Sequence, residues 1–304
     1  MWLADRWSDY EVLACSAGKK LERWGSYVLV RPDPQVIWDV PRTHEGWKRN
    51  NGIYHRSDKG GGSWELHELP KEWSISYEPS DKQAEGAHPL TFRLKPFQFK
   101  HTGLFPEQAA NWEWFMPLIR REAAGRAADD PVRVLNLFAY TGGATVAAAA
   151  AGAVVTHVDA SKGMVGWAKE NFAASGLEHQ PARFLVDDCE KFVRREIRRG
   201  RKYDAVILDP PSYGRGPDGE IWKLEDKIYG LLMLLRETIS DRPLFFLLNS
   251  YTTGLQPVVL RDLMALTLAE KAGGVLSADE LALPVTTQDI ALPCGASARW
   301  CGSR

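Results

Sequence analysis

The sequence predicts an α/β protein in which an open, mainly parallel sheet carries helices on both faces and follows a small β-rich domain. From Val132 onward, apolar β-type runs alternate with amphipathic helical segments, which is the pattern of such a sheet. Before that point, nine of the twelve tryptophans precede Phe115, and turn sequences such as RPDP and RNNG separate short apolar runs. We therefore expect a β-rich domain over residues 1–95 and an α/β domain over residues 96–304.

Each element of the α/β domain follows from its own local pattern. Short apolar runs predict strands, and they lie at residues 133–138, 154–159, 183–186, 203–208, 244–248 and 275–281. Amphipathic stretches predict helices, which lie near residues 143–151, 162–175, 189–199, 223–239 and 256–271. The β-rich domain shows alternation in KLERWGSYVLVRPDP and GSWELHELPKEWSISY, and the polar residues 80–89 predict a loop.

The composition excludes several classes of protein. The 38 basic and 39 acidic residues nearly cancel, so no overall field draws the chain to nucleic acid or anionic lipid, and such binding must be local. The four cysteines form no CxxC pair and no zinc spacing, so we expect free thiols in a reducing cytoplasm and no metal site. The longest apolar run, residues 144–151, is far short of the roughly 20 residues that span a bilayer. We expect no membrane association.

In an open α/β sheet, ligands bind at the carboxyl ends of the strands. The first predicted strand runs into FAYTGG, where Gly142 and Gly143 let the backbone approach a ligand at a helix N-terminus. The three spaced glycines of the dinucleotide fingerprint are absent, which disfavours NAD or FAD but not a nucleoside that carries a carboxylate. Asp159 ends the second strand, seventeen positions beyond Gly142, where it is placed to bind both ribose hydroxyls. Its alternative role is to cap the following helix.

Two further strand ends carry carboxylates. The third strand ends in VDDC, where Asp187 or Asp188 could bond an adenine amino group or cap the helix that begins at Cys189. The fourth strand ends in LDPPSY, which is the most specific signal in the chain. Here Asp209 and the carbonyl of the next residue, Pro210, form a pair of acceptors for an exocyclic amino group. Tyr213 can stack on the ring that bears this group. A plain Asp-Pro turn is the alternative interpretation.

These strand-end motifs resemble those of a known family. LNLFAYTGG, HVDAS, LVDDC and LDPPSY occur in the order of motifs I to IV of the class I S-adenosylmethionine-dependent methyltransferases, whose sheet is Rossmann-like. More closely, KHTGLFPEQAANW followed by LNLFAYTGG is similar to the bacterial large-subunit ribosomal RNA methyltransferases. The resemblance extends from Phe97 to the end of the chain. The N-terminal segment matches that family's small RNA-binding domain in position, although the two share no motif.

The resemblance implies a site for S-adenosylmethionine. The residues that would hold its methionine end belong to the first motif: Asn136, Phe138, Tyr140, Thr141, Gly142 and Gly143. Asp159 would hold the ribose and Asp188 the adenine. The flanking residues of the same motifs complete this predicted site: Ala160, Ser161, Asp187 and Cys189. Phe105 and Gln108 would approach the cofactor, while Lys100 and Thr102 would approach the target base.

The expected reaction is methyl transfer to a nitrogen of a base in RNA. Family members that methylate cytosine carbon 5 use a cysteine nucleophile in the loop after the fifth strand, whereas this loop reads LNSYTTG. Its Asn249 and Tyr251 are candidates for substrate binding, beside the catalytic candidates Asp209, Pro210 and Tyr213. A ring nitrogen is a second acceptor, with the aspartate orienting a neighbouring amino group. The alternatives are a small molecule or a protein amide as acceptor, an NAD(P)-dependent Rossmann oxidoreductase, and a silent cofactor-binding protein.

Two sets of side chains have a structural interpretation beside a functional one. The basic run RREIRRGRK, residues 194–202, comes at the end of a predicted helix, where cations are favourable, so we interpret it as a solvated helix face. The tryptophans of the N-terminal domain are interpreted as core side chains rather than as surfaces on which bases stack.

Overall fold

The computed structural model describes residues 1–57, 61–80, 89–97, 100–215, 219, 221–269 and 273–302. Most of the loop predicted at residues 80–89 therefore lies outside the described residues. The chain forms two compact units. The N-terminal unit comprises Trp2–Ala110 and Leu281–Cys294, and the parallel-sheet unit comprises Asn111–Glu280 and Gly295–Arg304 together with Met1. The boundary predicted after residue 95 differs from this division, in which residues 100–110 and 281–294 are grouped with the N-terminal strands.

The N-terminal unit is rich in short strands. They are β1 (Trp2–Leu3), β2 (Tyr10–Ser16), β3 (Lys19–Trp24), β4 (Tyr27–Pro32), β5 (Gly52–Arg56), β6 (Gly62–Leu66), β7 (Trp73–Tyr77) and β8 (Leu90–Leu94). β2, β3 and β4 form an antiparallel meander, β5 joins β4 in parallel, and β6 pairs antiparallel with β5. β7 and β8 form a separate antiparallel pair. The prediction of a β-rich N-terminal region is confirmed.

Aromatic side chains fill much of the core of this unit. Trp24 is fully buried and lies edge-on to the ring of Tyr10 at 4.5 Å between centroids. Trp73 and Phe92 are buried as well. Fully burying such side chains removes about 150–250 Å² of surface each and dominates the energetics of a small core. The interpretation of the N-terminal tryptophans as core is therefore correct for these members.

The parallel-sheet unit contains every α-helix of the described chain. The helices are α1 (Ala109–Ala124), α2 (Gly143–Ala150), α3 (Lys162–Ala174), α4 (Cys189–Arg198), α5 (Leu224–Arg236) and α6 (Pro257–Met264). The remaining strands are β9 (Arg133–Leu137), β10 (Val154–Asp159), β11 (Ala182–Val186), β12 (Ala205–Leu208), β13 (Tyr213–Arg215), β14 (Ile221–Lys223), β15 (Phe245–Ser250), β16 (Val275–Val285) and β17 (Ile290–Cys301). The first two residues of α1 and the ends of β16 and β17 belong to the N-terminal unit.

The sheet order places the functional strand ends. Its strands run β11, β10, β9, β12, β15 and β17, with all neighbours parallel except β15 and β17. The chain goes from β9 to β10 on one side and later returns to β12 on the other side. Such a change of direction opens a crevice at the carboxyl ends of the central strands, where ligands bind in open α/β sheets. The ends of β9, β10, β11 and β12 are those that the sequence motifs occupy.

Most predicted elements of this unit agree with the structure to within about two residues, as helix and strand ends usually do. Helix α1 and the hairpin of β13 and β14 were missed. Helix α1 carries Pro117 inside it, which weakens a helical prediction. The hairpin of β13 and β14 has strands of three residues each, too short for a recognisable alternation. No helix within the described ranges is long and apolar enough to span a bilayer.

Candidate functional site

The loop after β9 has an unusual backbone. Phe138 and Tyr140 have φ angles of 53° and 50°, although neither is a glycine. Such conformations cost on the order of 1–3 kcal/mol each and concentrate at ligand sites. Gly142 has φ of 83° and precedes α2 as its N-cap, where no side chain caps the helix. A side chain at this position would also bring a Cβ atom within 2.9 Å of the Cβ of Ala168 in α3. Both the positive φ angle and the close approach of Ala168 therefore require glycine at position 142.

Asp159 at the end of β10 organises this loop. Its Oδ2 accepts a hydrogen bond from the backbone N–H of Tyr140 at 2.9 Å, and its Oδ1 accepts one from the N–H of Ser161 at 2.8 Å. Burial raises the pKa of the Asp159 carboxyl, although the two backbone hydrogen bonds oppose this shift. The N-cap of α3 is Ser161, whose hydroxyl accepts from Met164 N at 3.4 Å. The alternative role of Asp159 as the helix cap is therefore wrong.

Behind the loop lies a buried polar chain. Asn136 donates to the hydroxyl of Thr145 at 2.9 Å, and the same hydroxyl lies 2.9 Å from His157 Nδ1. Asn171 donates to the carbonyl of Thr141 at 2.8 Å. Burial lowers the pKa of His157 to about 3, so this imidazole is neutral near pH 7. Asn136 and Thr141, predicted to contact the cofactor, thus lie beneath the loop and connect it to α2 and α3.

The residues after β11 have separate roles. Asp188 is the N-cap of α4 and accepts from Lys191 N at 2.8 Å, so the capping role left open by the sequence is the observed one. Asp187 forms an ion pair with Arg195. The sulfur of Cys189 accepts from the N–H of Phe138 at 3.3 Å and so joins α4 to the loop after β9. Burial raises the pKa of this thiol, which keeps it protonated.

The basic run needs one correction. Arg194 and Arg199 form ion pairs with acidic residues of their own helix, as expected for a solvated face. Arg195 does not follow this pattern, because its guanidinium reaches the carboxylate of Asp187 at the end of β11. The sequence interpretation assigned the whole run to a solvated helix face. Its second arginine lies in the second turn of α4 and pairs with a residue at the end of β11.

The DPPSY loop after β12 is supported by a tryptophan that the sequence analysis missed. Trp222 on β14 donates from Nε1 to the carbonyl of Pro211 at 2.7 Å. Its ring also packs against Phe138 with 4.7 Å between centroids. Pro210 is buried, whereas Tyr213 begins the β13 hairpin and is 56% exposed. The loops after β9 and β12 are thereby joined. No local pattern reveals this, since the contact depends on a hairpin with very short strands.

The loop after β15 splits the two predicted substrate contacts. Asn249 is buried, and its Oδ1 accepts from Asn111 Nδ2 at 3.1 Å and from the hydroxyl of Ser297 at 2.5 Å. Its position is thus set by α1 and β17. Tyr251 is half-buried, and its ring lies against Gly295, where any side chain would come within about 3 Å of the ring. Tyr251 is the member of the pair with surface to offer a ligand.

The four predicted residues of the KHTGLFPEQ segment belong to the N-terminal unit. Lys100 donates to the carbonyl of Pro32 at 3.1 Å, and burial together with nearby cations lowers the pKa of its amine. Thr102 is buried, and among the residues that the structure describes its hydroxyl has no hydrogen-bond partner. Phe105 precedes the short helical turn that contains the buried Gln108. The structure therefore groups the strand-end candidates in one unit and these four in the other.

The comparisons with known proteins agree with this geometry. The sequence model of S-adenosylmethionine-dependent methyltransferases matches residues 67–219, which is half of the chain. A solved SAM-dependent methyltransferase from Agrobacterium tumefaciens is 36% identical with a TM-score of 0.87, and the alignment covers 98% of this chain and 91% of that one. The chain belongs to the S-adenosylmethionine-dependent methyltransferase family. This membership decides against the nicotinamide oxidoreductase considered from the sequence.

Other relatives of this methyltransferase match less of it or match at lower identity. A Streptococcus mutans SAM-dependent methyltransferase shares the fold at 18% identity, with a TM-score of 0.69 and coverage of 97% and 76% of the two chains. The ribosomal RNA large subunit methyltransferase K/L of Shewanella baltica is 37% identical over 123 residues. That match covers 40% of this chain and 16% of the relative. The methyltransferase thus spans a small part of the length of these curated relatives.

The strand-end residues of the methyltransferase fit its cofactor. The N-terminus of α2 lacks a side-chain cap, so its backbone N–H groups are suited to the carboxylate of the methionine moiety. Asp159 stands at the end of the neighbouring strand, where a carboxylate binds ribose hydroxyls. Across the described part of the chain, no group of three or more His, Cys, Asp or Glu residues is placed to hold a metal ion.

Proposed function

We propose that this methyltransferase transfers the methyl group of S-adenosylmethionine to a nitrogen of an unpaired base in RNA. The arrangement of Asp209 and Pro210 at the end of β12 carries the proposal, because it offers two oxygen acceptors beside the predicted cofactor site. The curated relatives are named as ribosomal RNA methyltransferases, which supports RNA as the substrate class. We also propose that the protein acts in the cytoplasm, as the sequence led us to expect, because a ribosomal RNA substrate would be available there.

The two acceptors suit an amino group. Asp209 is partly buried and its Oδ1 is shielded from solvent. The carbonyl of Pro211 already accepts from Trp222, so the carbonyl assigned to the substrate is that of Pro210. A carboxylate and a carbonyl accept hydrogen bonds and donate none, which matches the two N–H groups of an exocyclic amine. Both hydrogen bonds would orient the nitrogen lone pair.

A carbon acceptor would need different residues. Methylation at cytosine carbon 5 requires a thiolate that first adds to the ring. The loop after β15 offers Asn249, Ser250 and Tyr251 in place of a cysteine. Cys189 is the cysteine at the strand ends, yet it is buried, its pKa is raised, and its sulfur accepts from Phe138 N. Direct transfer to nitrogen needs no such nucleophile.

The proposed step is an in-line displacement. When bound, the cofactor supplies a methyl group on a positively charged sulfur. The substrate nitrogen donates its lone pair to the methyl carbon, the carbon–sulfur bond breaks with its electrons going to sulfur, and the nitrogen then releases a proton to water. Asp209 and Pro210 would align the nitrogen, and Asp209 would stabilise the positive charge that develops on it. Alignment and charge are the contributions that such a reaction requires.

An unpaired base fits the surroundings of the loop. The exposed ring of Tyr213 offers a flat face on which a base could stack. A base inside a duplex cannot reach a pocket at the strand ends, so it must be single-stranded or turned out of the helix. We propose the N-terminal unit, with Lys100, as the second surface that contacts the RNA. Thr102, also predicted to contact the substrate, is fully buried and has no surface to offer the RNA.

The test is methyl transfer by wild type and by Asp209→Asn. Purified protein receives tritiated S-adenosylmethionine and RNA from cells that lack the enzyme, and RNA, protein and small-molecule fractions are counted separately. We expect label on a base nitrogen of RNA, and a loss of about 100- to 1,000-fold in kcat for Asp209→Asn with cofactor affinity retained. The exposed Asp226→Asn is the matched control and should keep full activity.

Three results would contradict the proposal. Label in protein or small molecules alone would show that the substrate is not RNA. Label on a base carbon would exclude transfer to nitrogen. Unchanged turnover in Asp209→Asn would contradict the role of Asp209 as the hydrogen-bond acceptor for the substrate amino group.

A further inference from the structure

The N-terminal unit contains a cavity that the strand-end site does not use. The cavity encloses about 610 Å³, which is within the roughly 300–1,000 Å³ of sites for small ligands. One wall comes from residues 38–49, here called the tryptophan segment, and includes Trp38 and Trp47. The opposite wall includes Ile290 and Pro293 of β17. All lining residues belong to the N-terminal unit.

Polar side chains that line this cavity form hydrogen bonds with the backbone of β2. Gln288 accepts from Cys15 N at 3.0 Å and donates to Cys15 O at 2.9 Å. Trp38 Nε1 donates to the same carbonyl at 3.1 Å, and the hydroxyl of Thr287 donates to Leu13 O at 2.6 Å. The surface that remains open to a ligand is mostly apolar. Such a cavity suits a flat ring with little charge of its own.

The two tryptophans of the cavity differ from those of the core. Trp24 and Trp73 are buried, whereas Trp38 and Trp47 are half-buried and border the open cavity. Tryptophans that keep exposed surface beside a concavity are typical of binding sites, because they supply a large flat contact at low entropic cost. The core interpretation is therefore unsuitable for these two residues.

Basic residues stand beside Trp47, one of the residues that line the cavity. The guanidinium of Arg42 lies over the ring of Trp47 at 4.8 Å from its centroid. Lys48 and Arg49 follow directly and are exposed. The tryptophan segment carries three basic residues against two acidic ones, and one of the acids, Asp39, accepts a hydrogen bond from a buried serine. An apolar pocket with a guanidinium against one of its lining rings matches a base attached to a phosphate backbone.

We infer that this cavity binds one unpaired base of the RNA substrate, with Trp38 and Trp47 against the ring and Arg42 beside the phosphate. The inference rests on the proposed function, because it names a second contact for the same substrate. The cavity residues belong to a different unit from Asp209, so this contact contributes affinity and register and leaves the chemical step unchanged. Loss of the contact should therefore raise KM for RNA without lowering kcat.

The test measures binding and turnover with the full-length chain. The probes are a fluorescein-labelled single strand of twelve adenosines and its duplex with oligouridine, followed by fluorescence anisotropy. We expect the double variant Trp38→Ala with Trp47→Ala to weaken single-strand binding by about 5- to 150-fold and to leave duplex binding unchanged. On unmethylated ribosomal RNA, KM should rise to a similar extent at constant kcat.

Two control variants guard against a loss of folding. Trp38→Phe with Trp47→Phe keeps aromatic rings in the cavity and should retain most of the single-strand affinity. Ile37→Ala changes the residue next to Trp38, which is 91% exposed and does not line the cavity, and should bind as wild type does. Asp209→Asn should bind the single strand normally while failing to methylate.

The outcomes separate the two proposals. If wild type methylates RNA and the alanine variant keeps its KM and single-strand affinity, the base pocket is wrong and the proposed function stands. If the phenylalanine variant loses affinity as fully as the alanine variant, ring stacking is overturned as well. If wild type neither binds nor methylates RNA, the proposed function fails and the inference fails with it.

Discussion

In the N-terminal unit the buried carboxylate of Glu22 is held by side chains, whereas in the parallel-sheet unit the carboxylate of Asp159 is held by backbone N–H groups. Glu22 is fully buried and accepts from Arg31 at 2.6 and 2.7 Å and from the hydroxyl of Tyr10 at 2.6 Å. Asp159 accepts from two backbone N–H groups at a strand end. The two environments affect the charged form in opposite directions.

The pKa shifts express this difference. Burial alone would raise the pKa of Glu22, but the charges of Arg31 and Lys20 outweigh burial and lower that pKa to about 2. At Asp159, burial prevails over the backbone hydrogen bonds and raises the pKa. The paired side chains stabilise the charged form of Glu22 without any ligand. The anion of Asp159 remains unfavourable, so donors from a ligand would stabilise it, as is common at functional sites.

Among the variants considered, removal of the arginine that pairs with Glu22 should reduce the free energy of unfolding most. Arg31→Met leaves the charge of Glu22 buried without its main partner, and we expect a loss of about 3–5 kcal/mol in the free energy of unfolding. Chemical denaturation measures it. The control is Arg23→Met, which breaks the partly exposed pair with Glu11 and should cost no more than about 1 kcal/mol. Equal losses in both variants would contradict the distinction between buried and exposed pairs.

Acid should reveal the buried histidine of the parallel-sheet unit. The pKa of His157 is about 3 in the folded chain and near its usual 6.5 when unfolded, so the unfolded state takes up the proton first. Stability therefore falls as pH drops from 6.5 toward 3, by roughly 1.4 kcal/mol per pH unit for this group. His101 adds to the same slope, because burial lowers its pKa to about 4.

His157→Asn keeps a polar partner for Thr145 and should remove the His157 part of this slope. Urea unfolding between pH 7 and 4 measures it, with replacement of the exposed His179 by Asn as the control. An unchanged slope in His157→Asn would mean that the imidazole is already protonated or accessible in the folded state.

A smaller effect is expected at the glycine of the loop after β9. Gly142→Ala combines a positive φ with contact to Ala168, and we expect a loss of about 1–3 kcal/mol together with weaker cofactor binding. Gly166→Ala in α3 is the matched control, because nothing lies within 4 Å of the added Cβ. It should gain about 0.5–1 kcal/mol. Thermal unfolding with and without S-adenosylmethionine distinguishes them, and a Gly142→Ala variant with normal stability and affinity would refute the strained-loop argument.

The smallest effect separates the two roles of Asp188. Asparagine is as good an N-cap as aspartate, so Asp188→Asn should change stability by less than about 0.5 kcal/mol, while Asp188→Ala should cost about 1 kcal/mol. If Asp188 also accepts from the adenine amino group, the asparagine variant loses charge at that contact and should bind S-adenosylmethionine more weakly. Calorimetric titration measures this, and equal affinities in Asp188→Asn and wild type would leave only the cap.

Much of the site could be predicted because it depends on local signals. Asp159, Asp188 and Asp209 each follow a short apolar run, and strand ends in a parallel sheet meet at one edge. Trp222 and Arg195 could not be found in this way. Their partners lie on other elements, and the contacts depend on the hairpin of β13 and β14 and on the second turn of α4. Asn249 shows the reverse error, since it follows a strand as expected but is buried against α1 and β17.

From the sequence alone we could predict most of the strands and helices from Val132 onward, the residues at the strand ends and the resemblance to a methyltransferase family, but not the short hairpin of β13 and β14. These properties follow from periodicity and from the chemistry of short motifs. The three-dimensional structure was needed to show that residues 281–294 join the N-terminal unit, that Trp38 and Trp47 border a cavity, and that Glu22 is neutralised by Arg31. Each of these depends on segments far apart in the chain, whose contacts are chosen by packing and pairing rather than by local preference.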